Sequence, residues 1–577
     1  MEHPPRTSLR FLVILATLAL VLTALTSTAV AAPSQRGLDA RSIDLQLLAI
    51  NDFHGNLEPP TGSSGRIVSD GVTTDAGGVE YLATHIHQLE AGHPNSLVVS
   101  AGDNIGASPL ISGVFHDEPT IEALNALGLD IAAVGNHEFD EGSAELLRMQ
   151  NGGCHPVEGC FDEDGFSGAD FGYLSANVVV EATGKTLFPA YTIKQVGGVK
   201  VGFIGLTLEG TPLIVTAAGV AGLQFLDEVE TINKYVAELK AQHVETIVVL
   251  IHEGGQQTVP SGTNVSVNGC AGMDNNDAIV PIANGVDPEV DVMISGHTHQ
   301  FYNCNWTANG HNMLLTSASS FGRLVTDIDL KIDQATKDVV GMSANNVIVT
   351  RTVDKDPAES ALLAKWKALS DPIANDVVGS ITADLFKAQN AAGESTLGNV
   401  IADAQLEFMD GPDPGFGAQL AFMNPGGIRT DLVCVLGGNP CPVTYGQLFA
   451  VQPFSNEMTA IDLTGAQIEA ALEQQFVGND RILQPSANFT YQWSASATDG
   501  NRVDPSSIKL NGVTIDPNAT YRVAMNIFLS GGGDNFPMFA QGTNKFIAGI
   551  DLDALVAYFG THSPVSPPPL NRIVQVP

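Results

Sequence analysis

Cations are scarce in this chain. Lys and Arg number 26 against 63 Asp and Glu, a formal net charge of −37. A protein that grips nucleic acid through a broad basic surface is disfavoured, because a track of phosphates needs a matching track of Lys and Arg. An enzyme that meets phosphate through bound metal cations is not excluded, since the ions bring their own charge. Charged residues of both signs make up only 15% and aromatics 6%, while hydrophobic residues reach 44%. That balance excludes wholesale disorder. No Cys-x-x-Cys pair is present, so the six cysteines do not read as structural zinc ligands. In an exported chain they read as disulfides. Many pairings are open, and proximity favours Cys154–Cys160, Cys270–Cys304 and Cys434–Cys441, each closing a short loop in a Gly/Pro/Asn-rich region.

The N-terminus supplies the reason to expect export. Arg6 and Arg10 precede an apolar run from Phe11 to Leu25, and Ala29-Val30-Ala31 offers a small-residue cleavage site. Residues 1–32 therefore read as a signal peptide, too short in its apolar part for a comfortable membrane span. No second apolar run of spanning length follows, so a secreted or cell-envelope location is expected, with no membrane span once the signal is cleaved. The segment Ser563 to Pro577 is Pro-rich and carries no lipid-anchor signal.

The length of 577 residues suits two large domains or roughly four of average size. From Ile43 to about Asp354, short β-rich runs (Ile43–Ile50, Leu97–Ser100, Ile131–Val134, Val199–Gly205, Thr246–Ile251, Val290–Ile294) alternate with helical patterns (Gly78–Glu90, Pro119–Leu127, Asp227–Gln242). Such alternation predicts a layered α/β domain over residues 43–354. A short charged helix, Asp356–Asp371, with Pro357 near its start and Pro372 after it, suits a linker over 355–376. A second unit, 377–563, has its own helices (Leu397–Met409, Thr464–Phe476) and strands (Gln419–Met423, Glu457–Leu463, Tyr521–Asn526), and a tail occupies 564–577.

Five polar blocks follow apolar strand candidates in the first unit. They are Asn51-Asp52-Phe53-His54-Gly55, Gly102-Asp103-Asn104, Gly135-Asn136-His137-Glu138-Phe139-Asp140, His252-Glu253-Gly254 and Gly296-His297-Thr298-His299. In α/β folds, ligands gather beyond the carboxyl ends of strands. Asp, His and Asn supply oxygen and nitrogen donors for divalent transition metals, and the adjacent glycines allow sharp turns and close approach. Singly each block is weak; five in this order point to a metal site. His85, His87, His93, His116, His155, His243 and His311 lack partner motifs and read as surface residues.

In these five blocks the sequence resembles the calcineurin-like metallophosphoesterases, and more narrowly the secreted 5′-nucleotidases, over nearly the whole mature chain. The resemblance implies an N-terminal four-layer α/β/β/α metallophosphoesterase domain and a C-terminal α+β substrate-binding domain. It implies two divalent metals (Zn, Mn, Fe, Co or similar). Asp52, His54 and His299 then hold one ion, Asn136, His252 and His297 the other, and Asp103 bridges them. His137 and Asp140 match the family's catalytic pair: a histidine that stabilises the transition state or protonates the leaving oxygen, and a carboxylate that orients it. Two such cations clamp an in-line displacement at phosphorus and lower the pKa of water.

The second unit bears on the substrate. Asn424-Pro425-Gly426-Gly427-Ile428-Arg429, Pro453-Phe454 and Asn526-Ile527-Phe528-Leu529-Ser530-Gly531-Gly532-Gly533-Asp534 supply an amide, a guanidinium, two aromatics and a carboxylate. By the resemblance, Asn424 and Arg429 contact substrate, Phe454 and Phe528 stack on the base, and Asp534 holds the ribose. The segment Gly393-Glu394-Ser395-Thr396-Leu397-Gly398-Asn399 also matches, with one departure. Where the family often has a phosphate-clamping arginine just before the Glu, this chain has Gly393, with Lys387 as a candidate substitute. The expected function is hydrolysis of nucleoside 5′-phosphates to nucleoside and phosphate. A 2′,3′-cyclic-nucleotide phosphodiesterase, a UDP-sugar hydrolase and an extracellular nuclease stay open, as does a non-enzymatic exported binding module. A nucleotide substrate is expected, and no stable nucleic-acid partner. Metals in one domain and base-binding groups in the other require the cleft between them to close.

Overall fold

The computed structural model describes residues 42–577, apart from 61, 217, 261–262, 411–415, 455 and 479. The expected signal peptide, 1–32, lies outside the described residues.

Two six-stranded sheets face each other in the first domain. One has the order Val339–Ile348, Leu324–Asp333, Ser42–Ile50, Ser96–Ser100, Leu129–Ala133, Gly172–Leu174. The other runs Phe301–Ala308, His311–Ala318, Val290–Ser295, Thr246–His252, Val199–Thr207, Tyr191–Val196. Side chains alternate across each strand, and this alternation builds the layers. Leu47 and Ala49 point between the sheets, where they meet Val248, Leu250 and Val292. Leu48 and Ile50, one residue out of phase, face the helices Val79–Glu90 and Glu118–Leu127. Ile247, Val249 and Ile251 likewise turn outward to the helix Glu228–Ala241. The result is the four-layer α/β/β/α arrangement expected from the sequence.

Strand direction places the site. Ser42–Ile50, Ser96–Ser100 and Leu129–Ala133 run parallel in one sheet. Val199–Thr207, Thr246–His252 and Val290–Ser295 run parallel in the other. The polar blocks follow the carboxyl ends of five of these strands and therefore collect at one edge of the sandwich.

The helix after this domain spans Pro357–Ala374. Asp356 caps it, accepting from the backbone N–H groups of Ala358 (2.9 Å) and Glu359 (3.1 Å). Pro372 does not end it, contrary to the sequence expectation. The missing N–H falls in the last turn, where a proline removes a single intrahelical donor, the one that would reach the Ala368 carbonyl. Trp366 anchors the helix to the first domain: it is fully buried and its indole donates to Glu122 at 2.9 Å.

The second domain is built on a five-stranded sheet, Gln484–Pro485, Leu420–Met423, Thr520–Asn526, Glu457–Thr464, Thr543–Ile550. Helices Thr396–Met409 and Asp551–His562 pack beside it. The Pro-rich segment expected as a separate tail is part of this domain. Ile573–Val576 adds a parallel strand to Phe489–Ser494. Arg572 is buried and makes a bidentate pair with Asp403 at 2.9 and 2.7 Å, with further bonds to the carbonyls of Pro485 and Asn399. Its backbone N–H and that of Ile573 donate to Glu394. Composition hid this, because one buried arginine does not alter a Pro-rich reading. The three disulfides join the pairs that proximity favours, Cys154–Cys160, Cys270–Cys304 and Cys434–Cys441. Among the described residues no helix is long and apolar enough to cross a membrane.

Breaking one side of a buried ion pair strands the other charge. Arg572→Met is expected to cost about 3 kcal/mol, read as a lower urea midpoint at unchanged m-value. An unchanged midpoint would show that this segment does not hold the domain together.

Candidate metal centre and substrate cleft

The turns after the strands are tight and unusual. Asp52, His54, Asp103, His297 and His299 all adopt left-handed backbone conformations, with φ of 50°, 47°, 51°, 69° and 57°. Non-glycine residues avoid this region, and Asp and His are among those that tolerate it best. Each such residue costs on the order of 1 kcal/mol and persists only where its surroundings dictate it. Here the loops dictate it by pairing with each other. The Asp52, His54 and Gly55 N–H groups donate to the carbonyls of Gly102, Asp103 and Asn104. Glu138, buried and unremarked in the sequence, accepts from the N–H groups of Asp103 (2.9 Å), Asn104 (2.9 Å) and Gly135 (2.7 Å). Gly135 is required as glycine, because a Cβ there would lie 2.2 Å from the Asp103 carboxylate.

The side chains converge as two groups joined through Asp103. Donor atoms of Asp52, His54 and His299 lie within 4.8 Å of one another, as do those of Asp103, His252 and His297. His54 Nε2 is 3.6 Å from Asp103 Oδ2. Asn136 Oδ1 lies 3.0 Å from His297 Nδ1. All seven sequence-predicted ligands thus share one site.

The rings are aimed from behind. His54 Nδ1 bonds to the Gly106 carbonyl and His252 Nδ1 to the Ala101 carbonyl, both at 2.8 Å. With Nδ1 held by a backbone carbonyl, each Nε2 faces the cluster, the orientation metal-binding histidines need. His252 Nε2 lies 2.9 Å from Asp103 Oδ2, yet the two are not aligned as a hydrogen bond. His54 Nε2 and His299 Nε2 face each other at 3.1 Å. Imidazole nitrogens, an amide oxygen and carboxylate oxygens that crowd a common point are the donors a divalent cation would bind, so the residues present fit divalent metal.

Burial and mutual charge set the protonation of these groups. Burial pushes His54 down to about 3 and His297 to about 4, and holds His299 well below the usual imidazole range. Burial raises Asp52 to about 7. Burial would also raise Asp103, but His252 and His137 beside it hold it well below the carboxylate range. Burial opposes protonation of His252, which Asp103 and Asp52 nevertheless carry up to about 10.

His137 stands at the rim. Its Nδ1 bonds Asp140 Oδ2 at 2.8 Å. Burial works against its charged form, and Asp140 and Asp103 outweigh that and raise its pKa. The ring of Phe454, from the second domain, stacks on His137 with centroids 5.8 Å apart and planes at 16°. Arg429 lies over the same Phe454 ring, its guanidinium carbon 5.4 Å from the centroid, within the range of a cation–π contact. The two domains are therefore already together, and the cleft between them is a cavity of about 250 Å³.

Asn136, His137, Asp140 and His297 form one wall of the cavity, and Asn424, Arg429, Phe454, Phe528 and Asp534 the other. Asn526 donates to Asn424 (3.0 Å), and Asn424 donates to Asp534 (2.7 Å), a relay that fixes the carboxylate. Lys387 is placed elsewhere: its ammonium donates to the Arg429 carbonyl at 3.1 Å. Sequence reasoning missed Glu138, although it lies inside the third polar block, because its partners are backbone N–H groups. It gave no role to Asn526, the first residue of the segment that ends at Asp534, and it missed Arg481, which lines the cavity from a segment without a motif.

Comparison with known proteins agrees with this layout. The family description "Calcineurin-like phosphoesterase" matches residues 45–301, and "5′-nucleotidase, C-terminal domain" matches residues 377–541. The chain is 33% identical over 524 residues to "Endonuclease YhcR" of Bacillus subtilis, covering 89% of this chain and 39% of that protein. It is 32% identical over 542 residues to "Cell wall protein Lmo0130" of Listeria monocytogenes, covering 89% of this chain and 66% of that one. The chain thus spans about two fifths and just under two thirds of these relatives. The crystal structure of a 5′-nucleotidase precursor from Thermus thermophilus superposes with a TM-score of 0.71 at 26% identity, over 92% of this chain and 99% of that one.

Two histidines read as surface residues are built into the rim instead. His116 is half-buried between Glu141 (2.5 Å) and Glu158 (3.3 Å) and stacks on His155 at 4.1 Å. The Cys154–Cys160 loop delivers His155 and Glu158, a juxtaposition no local pattern announces. Burial lowers the pKa of His116, and the bonds to Glu141 and Glu158 overcome it and lift it to about 9. A value raised above the unfolded 6.5 stabilises the fold fully below pH 6.5 and ceases to do so as pH rises through 9. His116→Gln is therefore expected to lower the melting temperature most below pH 6.5. The gap to the parent should close above pH 9, and a gap independent of pH would refute the charge assignment.

Proposed function

The chain belongs to the calcineurin-like phosphoesterases, metal-dependent enzymes, and carries a 5′-nucleotidase C-terminal domain; from that premise we propose that it hydrolyses nucleoside 5′-phosphates to nucleoside and phosphate. The observation that carries this reading is one cavity in which the His137–Asp140 pair and the candidate ligands Asn136 and His297 face Phe454, Phe528 and Asp534.

Each wall has a part. The two aromatic rings offer flat faces to a base. The Asp534 carboxylate, fixed by Asn424, accepts hydrogen bonds from ribose hydroxyls. Arg429 extends from Phe454 toward the metal side, where Asp140 and Asp103 feel its charge, and its planar fork suits phosphoryl oxygens. Asp52, His54 and His299, with Asn136, His252 and His297 and a bridging Asp103, would hold two divalent metals, which neutralise phosphoryl charge and lower the pKa of water. The Asp140 bond fixes the tautomer of His137, and the raised pKa keeps a proton available for the leaving 5′-oxygen.

A second reading has support of its own. A relative at 33% identity is named an endonuclease, and Gly393 stands where the resembling family often has a phosphate-clamping arginine. Phosphodiester cleavage is the activity to set beside the first. Export, expected from residues 1–32, is supported by a relative named a cell wall protein.

The test compares phosphate release from AMP with ring opening of a 2′,3′-cyclic nucleotide and chain cleavage of single-stranded DNA, with Zn, Mn, Fe or Co supplied in turn. AMP is expected to be the fastest substrate, with activity abolished by EDTA and restored by metal. His137→Ala should lower kcat by about 10²- to 10⁴-fold with little change in KM. No phosphate released from any nucleoside 5′-phosphate under any metal would overturn the reading, and near-full kcat in His137→Ala would remove that residue from the mechanism.

A further inference from the structure

Arg481 lines the cleft, yet neither the metal ligands nor the base and ribose groups account for it. It is half-buried. Among the described residues its guanidinium makes one long hydrogen bond, from Nη1 to the Asp534 carbonyl at 3.4 Å. No described carboxylate lies within ion-pair distance of it. A guanidinium with most of its donors unspent, facing a cavity, is a receptor for an anion.

Its position is set in advance. The Arg481 N–H donates to the Gln475 carbonyl at 2.8 Å, and the Leu483 N–H to the Gln475 side chain at 2.7 Å. The Ile482 carbonyl between them accepts from Gln389 (3.1 Å) and Gln484 (2.8 Å). The same short segment explains the departure at Gly393. That residue sits at φ +90°, and a Cβ there would come within 2.5 Å of Ile482. Ile482 fills the space an arginine side chain would need, and its neighbour Arg481 brings a guanidinium to the cleft from the other direction.

Arg429 lies over Phe454, where its charge reaches His54, His299 and Asp140 on the metal side and also Asp534. Arg481 bonds the backbone of Asp534, the residue poised for ribose hydroxyls. We infer that Arg481 receives a phosphoryl group carried on the ribose 3′-oxygen, as in a nucleoside 3′,5′-bisphosphate or a nucleotide linked onward through its 3′-oxygen. The inference rests on the nucleotide reading above and extends it with an anion subsite at the sugar.

Calorimetric titration of the metal-loaded full chain with adenosine and with adenosine 3′-phosphate tests it without turnover of a 5′-phosphate. The parent protein is expected to bind adenosine 3′-phosphate about tenfold more tightly or better. Arg481→Ala should remove that preference, and Arg481→Lys should recover part of it. No preference in the parent protein overturns the subsite, whether or not the variants fold. A preference that survives in Arg481→Ala also overturns it, because the phosphate is then drawn by the metal side. A dinucleoside monophosphate, ApA, identifies the source: binding as tight as adenosine 3′-phosphate assigns the subsite to a continuing chain, and weaker binding to a terminal 3′-phosphate, both upholding it. Absent AMP turnover alongside an Arg481-dependent preference would overturn the proposed reaction while leaving the subsite in place.

Discussion

The structure turns on the convergence of ionisable side chains in a place shielded from bulk solvent. Asp52, Asp103, His54 and His252 are essentially fully buried at the edge of the sandwich. Burying charge is costly unless it is paired. Asp103 and His252 offset each other, while burial holds His54, His297 and His299 neutral. Such a cluster is frustrated by itself and satisfied by divalent cations. The left-handed backbone at five of its residues is the other cost of assembling it, and the Glu138 carboxylate is a main part of what holds it in place.

The second domain acts on what the first has gathered. Phe454 touches both: it stacks on His137 and carries Arg429 on its face. One residue thereby ties the position of the ring proposed to bind the base to the position of the residue proposed to protonate the leaving group. Asp534 also sits at positive φ, 56°, and its carboxylate is held at the end of the Asn526–Asn424 relay. Rigid polar groups placed before a ligand arrives lose less freedom on binding.

Strand and helix positions in the first domain were legible because burial on alternate faces writes itself into the chain. Leu47, Leu48, Ala49 and Ile50 form one apolar run, yet adjacent residues enter different layers, the mark of a strand covered on both sides. The polar blocks were legible because each follows such a run. Legibility failed where a single long-range contact decides the outcome. Arg572 ties the Pro-rich C-terminal segment to Asp403 across 169 positions. His116 meets Glu158 only because a small disulfide loop folds back over it. Pro372 was read as a terminator, a rule that fails when the proline falls in a final turn.

From the sequence alone came the residue types, their order, and their placement at strand ends, because these are local consequences of side-chain chemistry and of period-two burial. Only the tertiary structure decided which nitrogen of each histidine faces the cluster, which carboxylate partners which ring, and that Arg481 rather than Lys387 reaches the cleft. Those outcomes depend on backbone carbonyls and neighbouring loops brought together from distant parts of the chain. A linear pattern carries no record of such distances, because the contacts exist only after the two sheets pack and the second domain docks.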